Sequence, residues 1–280
     1  MKRTISLALI TSLACSFSNL VLAQKEKKVD PKHTNYYSDI EEAIEVREFA
    51  VQFSNGVSRI DMFKCKAKFT NSTNDFLLVE PSKFSITVDG VTVHPKEKSF
   101  ILDPNESKAK TIDITEGANF HTDAVEISIA GFSRISMDGT PTKVEPFQLP
   151  ASVNVVEAGN FTVNLKFLSQ ETQQTTARFE VKYKGDGYAI VDPSRVSIKT
   201  EGGDQFANLY RKSKSFLLEK GDSKSFDVVV EIPAKIVDMQ FSKLFVNFGD
   251  SMIETSAKPL DAEESVTFEL DATLTAEKNK

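Results

Sequence analysis

The chain has 280 residues, 40% of them hydrophobic, and a formal charge of −6 from 34 basic and 40 acidic side chains. That length suits two ordinary domains, and that apolar content excludes a chain disordered throughout. The acidic balance argues against nucleic acid as a partner, because such binding rests on neutralising phosphates.

Residues 1–23 read as a secretory signal peptide. Lys2 and Arg3 precede an apolar run at residues 5–13, and Val21-Leu22-Ala23 offers small-residue cleavage before Gln24. Cys15, Ser16, Ser18 and Asn19 interrupt the run, which makes it a poor permanent span; that needs about 20 apolar residues. Leu13-Ala14-Cys15 is a weaker match to a lipoprotein processing site, since Ser12 stands where an aliphatic residue is usual. Residues 24–39 are polar and lysine-rich and are expected to form a flexible leader. Residues 38–48 come nearest to helical periodicity, enough for one or two turns.

From residue 49 onward the pattern alternates with period two, the signature of strands with one buried face. In the first part of the chain the alternating sets are Phe49/Val51/Phe53, Phe63/Cys65/Ala67/Phe69, Phe84/Ile86/Val88 and Val125/Ile127/Ile129. In the second they are Phe161/Val163/Leu165/Phe167, Phe226/Val228/Val230 and Val266/Phe268/Leu270. Asp89-Gly90 reads as a tight hairpin turn, and Gly202-Gly203 holds the comparable place later. Once the leader is cleaved Cys65 is the only thiol, so no internal disulfide forms. Its position in an alternating strand predicts a buried, inert side chain.

The strongest feature is an internal repeat. Val79-Glu80-Pro81-Ser82-Lys83-Phe84-Ser85-Ile86 returns 112 positions later as Val191-Asp192-Pro193-Ser194-Arg195-Val196-Ser197-Ile198. Residues 98–108 return as 214–224, now 116 positions on, with Asn105 and Gly221 where a turn wants positive φ. A unit of about 110 residues is domain-sized and too long for a solenoid repeat. The predicted fold class is all-β: two tandem immunoglobulin-like β-sandwich domains related by internal duplication, at 40–150 and 151–275, before a short tail at 276–280.

The runs Leu217-Leu218-Glu219-Lys220-Gly221-Asp222-Ser223-Lys224-Ser225-Phe226-Asp227-Val228 and Ile101-Leu102-Asp103-Pro104-Asn105-Glu106-Ser107 carry a resemblance. Through them the chain resembles the tandem immunoglobulin-like accessory modules of bacterial envelope and secreted proteins. The resemblance implies a fold and an extracytoplasmic setting and transfers no functional residue.

Chemistry-bearing motifs are sparse. His33, His94 and His121 lie far apart, without metal-ligand spacing. No phosphate-binding glycine loop or nucleophile elbow appears. Asp103 and Glu106 recur as Glu219 and Asp222, beside an ordinary turn rather than within a calcium loop. Asn71, Asn105 and Asn160 begin Asn-x-Ser/Thr triplets, which matter only in a glycosylating pathway. No cofactor or metal is expected, and no catalytic residue is assigned.

The candidate binding residues are Tyr210, Arg211, Lys212 and Lys214, in a basic loop where the second copy is four residues longer. The expected function is an exported, non-enzymatic binding or scaffolding protein, periplasmic or extracellular, acting on an envelope or surface protein. Nucleic acid is not expected as a partner, nor a transmembrane segment after cleavage. The alternative is an adhesin or carbohydrate-binding protein, disfavoured by 21 Phe and 5 Tyr with no Trp; an enzyme with an unrecognised site comes third.

Overall fold

A computed structural model describes residues 30, 32–210 and 214–280. The signal peptide, Cys15 and most of the expected leader therefore lie outside the described residues. The rest is mostly β-strand in antiparallel sheets, with one α-helix among the described residues, Ala272–Lys278.

The first module pairs two layers. One is the sheet in which Phe49–Arg59, Met62–Asn71 and Ser107–Thr115 lie side by side, with Asn35–Tyr36 and Ile44–Glu45 joined to Phe49–Arg59. The other layer is bent into two halves. Ser85–Val88, Ala124–Ile129, Val91–Val93 and Glu264–Glu269 form one half; Phe76–Val79, Phe132–Ile135, Phe100–Leu102 and Ala257–Pro259 form the other. The bend falls at the 3-10 turn Pro81–Lys83, where the Glu80 N–H donates to the Gly131 carbonyl. The inward residues of both layers, Phe53, Phe63, Cys65, Ala67, Phe69, Ile86 and Ile127 among them, are at most 1% exposed and form one core. Burying such apolar side chains is the dominant favourable term in folding.

The second module repeats this plan. Val155–Ala158, Phe161–Gln170, Gln174–Tyr183 and Ser223–Glu231 make the flat layer. The bent layer is Phe147–Leu149, Leu244–Asn247, Ser197–Thr200 and Gln205–Ala207, then Thr140–Pro141, Met252–Thr255, Tyr188–Val191 and Phe216–Leu218. Registers agree position by position. Cys65 faces Ile112, and Ala177 faces Val228. Leu78 faces Ile101, and Ile190 faces Leu217. Ile86 faces Ile127, and Ile198 faces Val246. Asn105 and Gly221 take φ values of 56° and 89° in matching turns.

The expected domain limits need correction. Residues 140–149 pair wholly within the second module, and residues 257–269 return to the first, where Val266 faces Ile127 as Phe147 faces Val246. The second module is thus continuous between residues 140 and 255 and is inserted into the first. Period-two alternation marks residues 264–269 as a strand, but nothing local names a partner so distant in sequence.

Three smaller expectations also fail. Residues 38–48 hold no helix; Ile44 and Glu45 pair with Val51 and Ala50. The expected tail is helical, capped by Asp271 Oδ1, which accepts from the Leu274 N–H at 2.8 Å. The end of the leader is structured: Asn35 and Tyr36 pair with Ser58 and Val57, and Tyr37 is 3% exposed. Tyr37 is held in place by its hydroxyl, which donates to the Thr122 carbonyl at 2.8 Å.

The two modules share a third apolar cluster. Phe76 and Ile135 of the first pack with Ile190, Leu217 and Ile253 of the second. These side chains stand on the outer faces of strands whose inner faces, with Leu77 and Phe132 or Val191 and Leu218, fill each module's own core.

Candidate functional site

The predicted loop begins after Gln205–Ala207 and is fixed by Asn208. The Asn208 amide donates to the carbonyls of Pro193 (3.2 Å) and Asp227 (3.1 Å), and its Oδ1 accepts from the N–H groups of Val229 (2.9 Å) and Tyr210 (3.0 Å). The Leu209 N–H donates to the Val229 carbonyl at 2.8 Å. Asn208 and Leu209 therefore cover the outer edge of Ser223–Glu231 at Asp227 and Val229. Tyr210 is exposed beside Arg178, whose guanidinium pairs in bidentate fashion with Asp227 at 2.7 and 3.1 Å. That hydrogen-bonded carboxylate pushes the Arg178 pKa above its usual range.

Arg211 and Lys212 lie outside the described residues. Lys214 sits elsewhere, in a cleft of about 390 Å³ between the modules. Asp103, Asn105 and Glu106 line it from the first module, and Asp192, Ser194 and Lys214 from the second. Tyr210 thus lies beside Arg178, and Lys214 lines the cleft. The length difference also divides: Phe206 rather than residue 205 faces Ile198, where Val93 faces Ile86. One extra residue falls in the hairpin and three between Ala207 and Phe216.

The carboxylates of the paired turns are engaged locally. Glu106 Oε2 accepts from the Asp103 N–H at 3.0 Å, and Asp222 Oδ2 from the Glu219 N–H at 3.1 Å. Among the described residues no three His, Cys, Asp or Glu side chains gather as a metal-binding group. Asn71 is 1% exposed, its amide donating to the carbonyls of Asp75 and Asp103, so in the folded chain it is closed to a glycan.

Two histidines that the sequence sets far apart meet. His33 Nδ1 and His121 Nε2 are 3.0 Å apart. His94 Nδ1 lies 2.7 Å from the Phe84 carbonyl. No spacing signal foretells the His33–His121 contact, because it depends on the leader folding back over residues 119–122. Cys65 is buried; burial first, and the charge of Glu97 second, push its thiol far above the ordinary range.

The outer edge of the first module differs from its counterpart. Ser107–Thr115 ends its sheet, and residues 107–111 are exposed on both faces. Glu97 Oε1 accepts from the Asp113 N–H at 2.6 Å, the position that Asn208 Oδ1 serves at Val229. Beside it, Lys64 pairs with Asp113 at 2.7 Å. Sequence reading passed over this edge because its lysines look like an ordinary solvated face.

No family model and no curated protein matches the chain. Among solved structures it is similar to the secreted serine protease VesC from Vibrio cholerae at 11% identity, with a TM-score of 0.18. The match covers 68% of this chain and 47% of that one, so the chain spans about half the length of that protein. A likeness at that score carries no argument about fold or activity. No helix among the described residues is long and apolar enough to cross a membrane.

Proposed function

We propose that the chain is an exported, non-enzymatic binding or scaffolding protein of the periplasm or cell surface. In this reading it is built from two copies of one immunoglobulin-like sandwich and acts through contacts with an envelope or surface protein. The matching registers, from Phe53–Ala67 and Leu165–Phe179 through Ile127–Val266 and Val246–Phe147, support the duplication.

The single observation that carries the binding role is the way the modules are joined. The second is inserted into the first, and the cluster of Phe76, Ile135, Ile190, Leu217 and Ile253 fills the seam. Loops and edges of both modules are therefore held at a set spacing, which lets two weak contacts act as one stronger one. Export rests on residues 1–23 alone.

The test begins with fractionation and N-terminal sequencing, which should find a chain starting at Gln24 outside the cytoplasm. Affinity capture from the native envelope fraction should then yield a partner that rebinds the purified chain at fixed stoichiometry. A chain retained uncleaved in the cytoplasm, or a captured protein that fails to rebind when purified, defeats the proposal. Selective binding on a glycan array would move the chain to the adhesin class.

A further inference from the structure

We propose that the open edge of the first module, along residues 107–112, docks an extended strand of a partner protein bearing Asp or Glu at alternate positions. This deepens the binding reading above and rests on it.

The hydrogen-bonding argument comes first. Ser107–Thr115 pairs on one side with Met62–Asn71 and is the last strand of its sheet. The Asp113 N–H points to the outer side, since it donates to Glu97. In an antiparallel ladder the direction alternates, so the N–H and C=O groups of Ala109 and Thr111 point outward as well. In the second module the matching edge is covered at Asp227 and Val229. Val229 and Asp227, in register with Asp113 and Thr111, are covered by Asn208 and Leu209. No such cover lies over Ala109 or Thr111 among the described residues.

Charge selects the occupant. Lys108 and Lys110 are exposed on one face of this edge, their ammonium groups 5.9 and 5.3 Å from the Phe100 ring centre. Lys66 and Lys68 are exposed on the other face, beside Thr111 and Ala109. Among the described residues the one ion pair on these two strands is Lys64–Asp113. The second module keeps Lys108 as Lys224, which lies 5.8 Å from the Phe216 ring centre, but answers the other three positions differently. Arg178 and Glu180 replace Lys66 and Lys68 and are paired to Asp227 and Lys166, and Phe226 replaces Lys110 and is buried. Four cations without carboxylate partners thus flank the open edge, on a chain of net charge −6.

Alternate residues of a strand repeat at about 6.7 Å, and cross-strand neighbours stand about 5 Å apart. An added strand would set its own alternate side chains opposite Lys108 and Lys110. The same edge of a second copy would bring lysine against lysine and be repelled, the usual role of edge lysines. An acidic strand turns that repulsion into attraction, and main-chain pairing supplies the rest.

The test uses the full chain and two short synthetic peptides, one alternating Glu with Thr and one alternating Lys with Thr. The Glu peptide should bind in fluorescence anisotropy and slow amide exchange at Ala109 and Thr111, and the Lys peptide should not bind. Lys108→Glu/Lys110→Glu should weaken the Glu peptide about tenfold or more and admit the Lys peptide. Ala109→Pro removes an outward N–H without touching the ladder to Met62–Asn71, and should weaken the Glu peptide about tenfold while the melting transition is kept. Unchanged affinity in a folded Ala109→Pro chain, slowed exchange elsewhere, or equal binding of both peptides overturns the proposal. If the lysine-reversed chain still captures the native partner of the wild type, the edge is sunk while the binding role stands.

Discussion

Gly56 lies directly against the Phe268 ring: a Cβ placed on it would stand 2.7 Å from Cδ1 and 2.8 Å from Cε1. The ring cannot yield, because Tyr37, Phe53 and Phe63 hold it edge-on with centres 6.2, 6.5 and 5.7 Å away. Gly56→Ala should therefore destabilise the first module by about 1–3 kcal/mol, as overpacking does. Combined with Phe268→Leu the loss should be less than the sum of the two single losses, measured by urea unfolding, since the two sites share one space.

Removal of residues 257–280 takes away Phe268, the strand facing Ala124–Ile129 and the helix packed on Asn35–Tyr36. A chain ending at Ser256 should lose slow amide exchange in Met62–Asn71 and keep it in Gln174–Tyr183. In that shortened chain the second module keeps every strand of its sheets, whereas the first loses Ala257–Pro259 and Glu264–Glu269. Equal protection in both would contradict the insertion.

Asp192 and Glu80 hold matching places before the two 3-10 turns but are engaged differently. Asp192 is 8% exposed and accepts from the Ser194 N–H, the Ser194 hydroxyl and Arg195 Nε at 3.1, 2.6 and 3.0 Å. Glu80 makes a more exposed pair with Lys83 at 2.6 Å and caps nothing. Asp192→Ala should cost about 0.5–2 kcal/mol, because Asp192 is the side-chain cap of its turn. Glu80→Ala should cost about 0–1 kcal/mol. Thermal unfolding of both variants decides the order.

The Cys65 thiol should resist thiol reagents at pH 8 in the native chain and react once the chain is unfolded. Its raised pKa adds a pH term with a definite sign. Below about pH 8.5 the thiol is neutral in both states and contributes nothing. Above that the unfolded thiol ionises while the buried one does not, so stability falls as pH rises. Cys65→Ala should remove that part of the alkaline loss in denaturant titrations.

What the sequence disclosed follows its physics. Phe63, Cys65, Ala67 and Phe69 alternate because one face of their strand is buried, and all four are at most 1% exposed. Phe167 belongs to the same kind of alternating set but is 53% exposed, because the register slips between Leu165 and Phe167 and turns the strand over. A bulge of one residue leaves no mark in hydrophobic spacing. The helix at Ala272–Lys278 did carry a signal, an Asp at its N-cap, in a segment too short for periodicity to show. Candidate sites were less legible. That Tyr210 stands beside Arg178 while Lys214 lines a cleft with Asp103 and Glu106 follows from long-range pairing, and the open edge at Ala109 shows only once strand order is known.

The first module's terminal elements touch each other. The Thr34 N–H donates to Asn279 Oδ1 at 3.1 Å, the Asn279 amide donates back to the Thr34 carbonyl at 2.7 Å, and the Tyr36 N–H donates to Thr275 Oγ1 at 2.9 Å. Tension applied between Thr34 and Asn279 would thus be borne by a few adjacent hydrogen bonds. The whole inserted half would feel no pull until that clasp gave way, so anything tethered near either residue tugs at the same corner of the molecule.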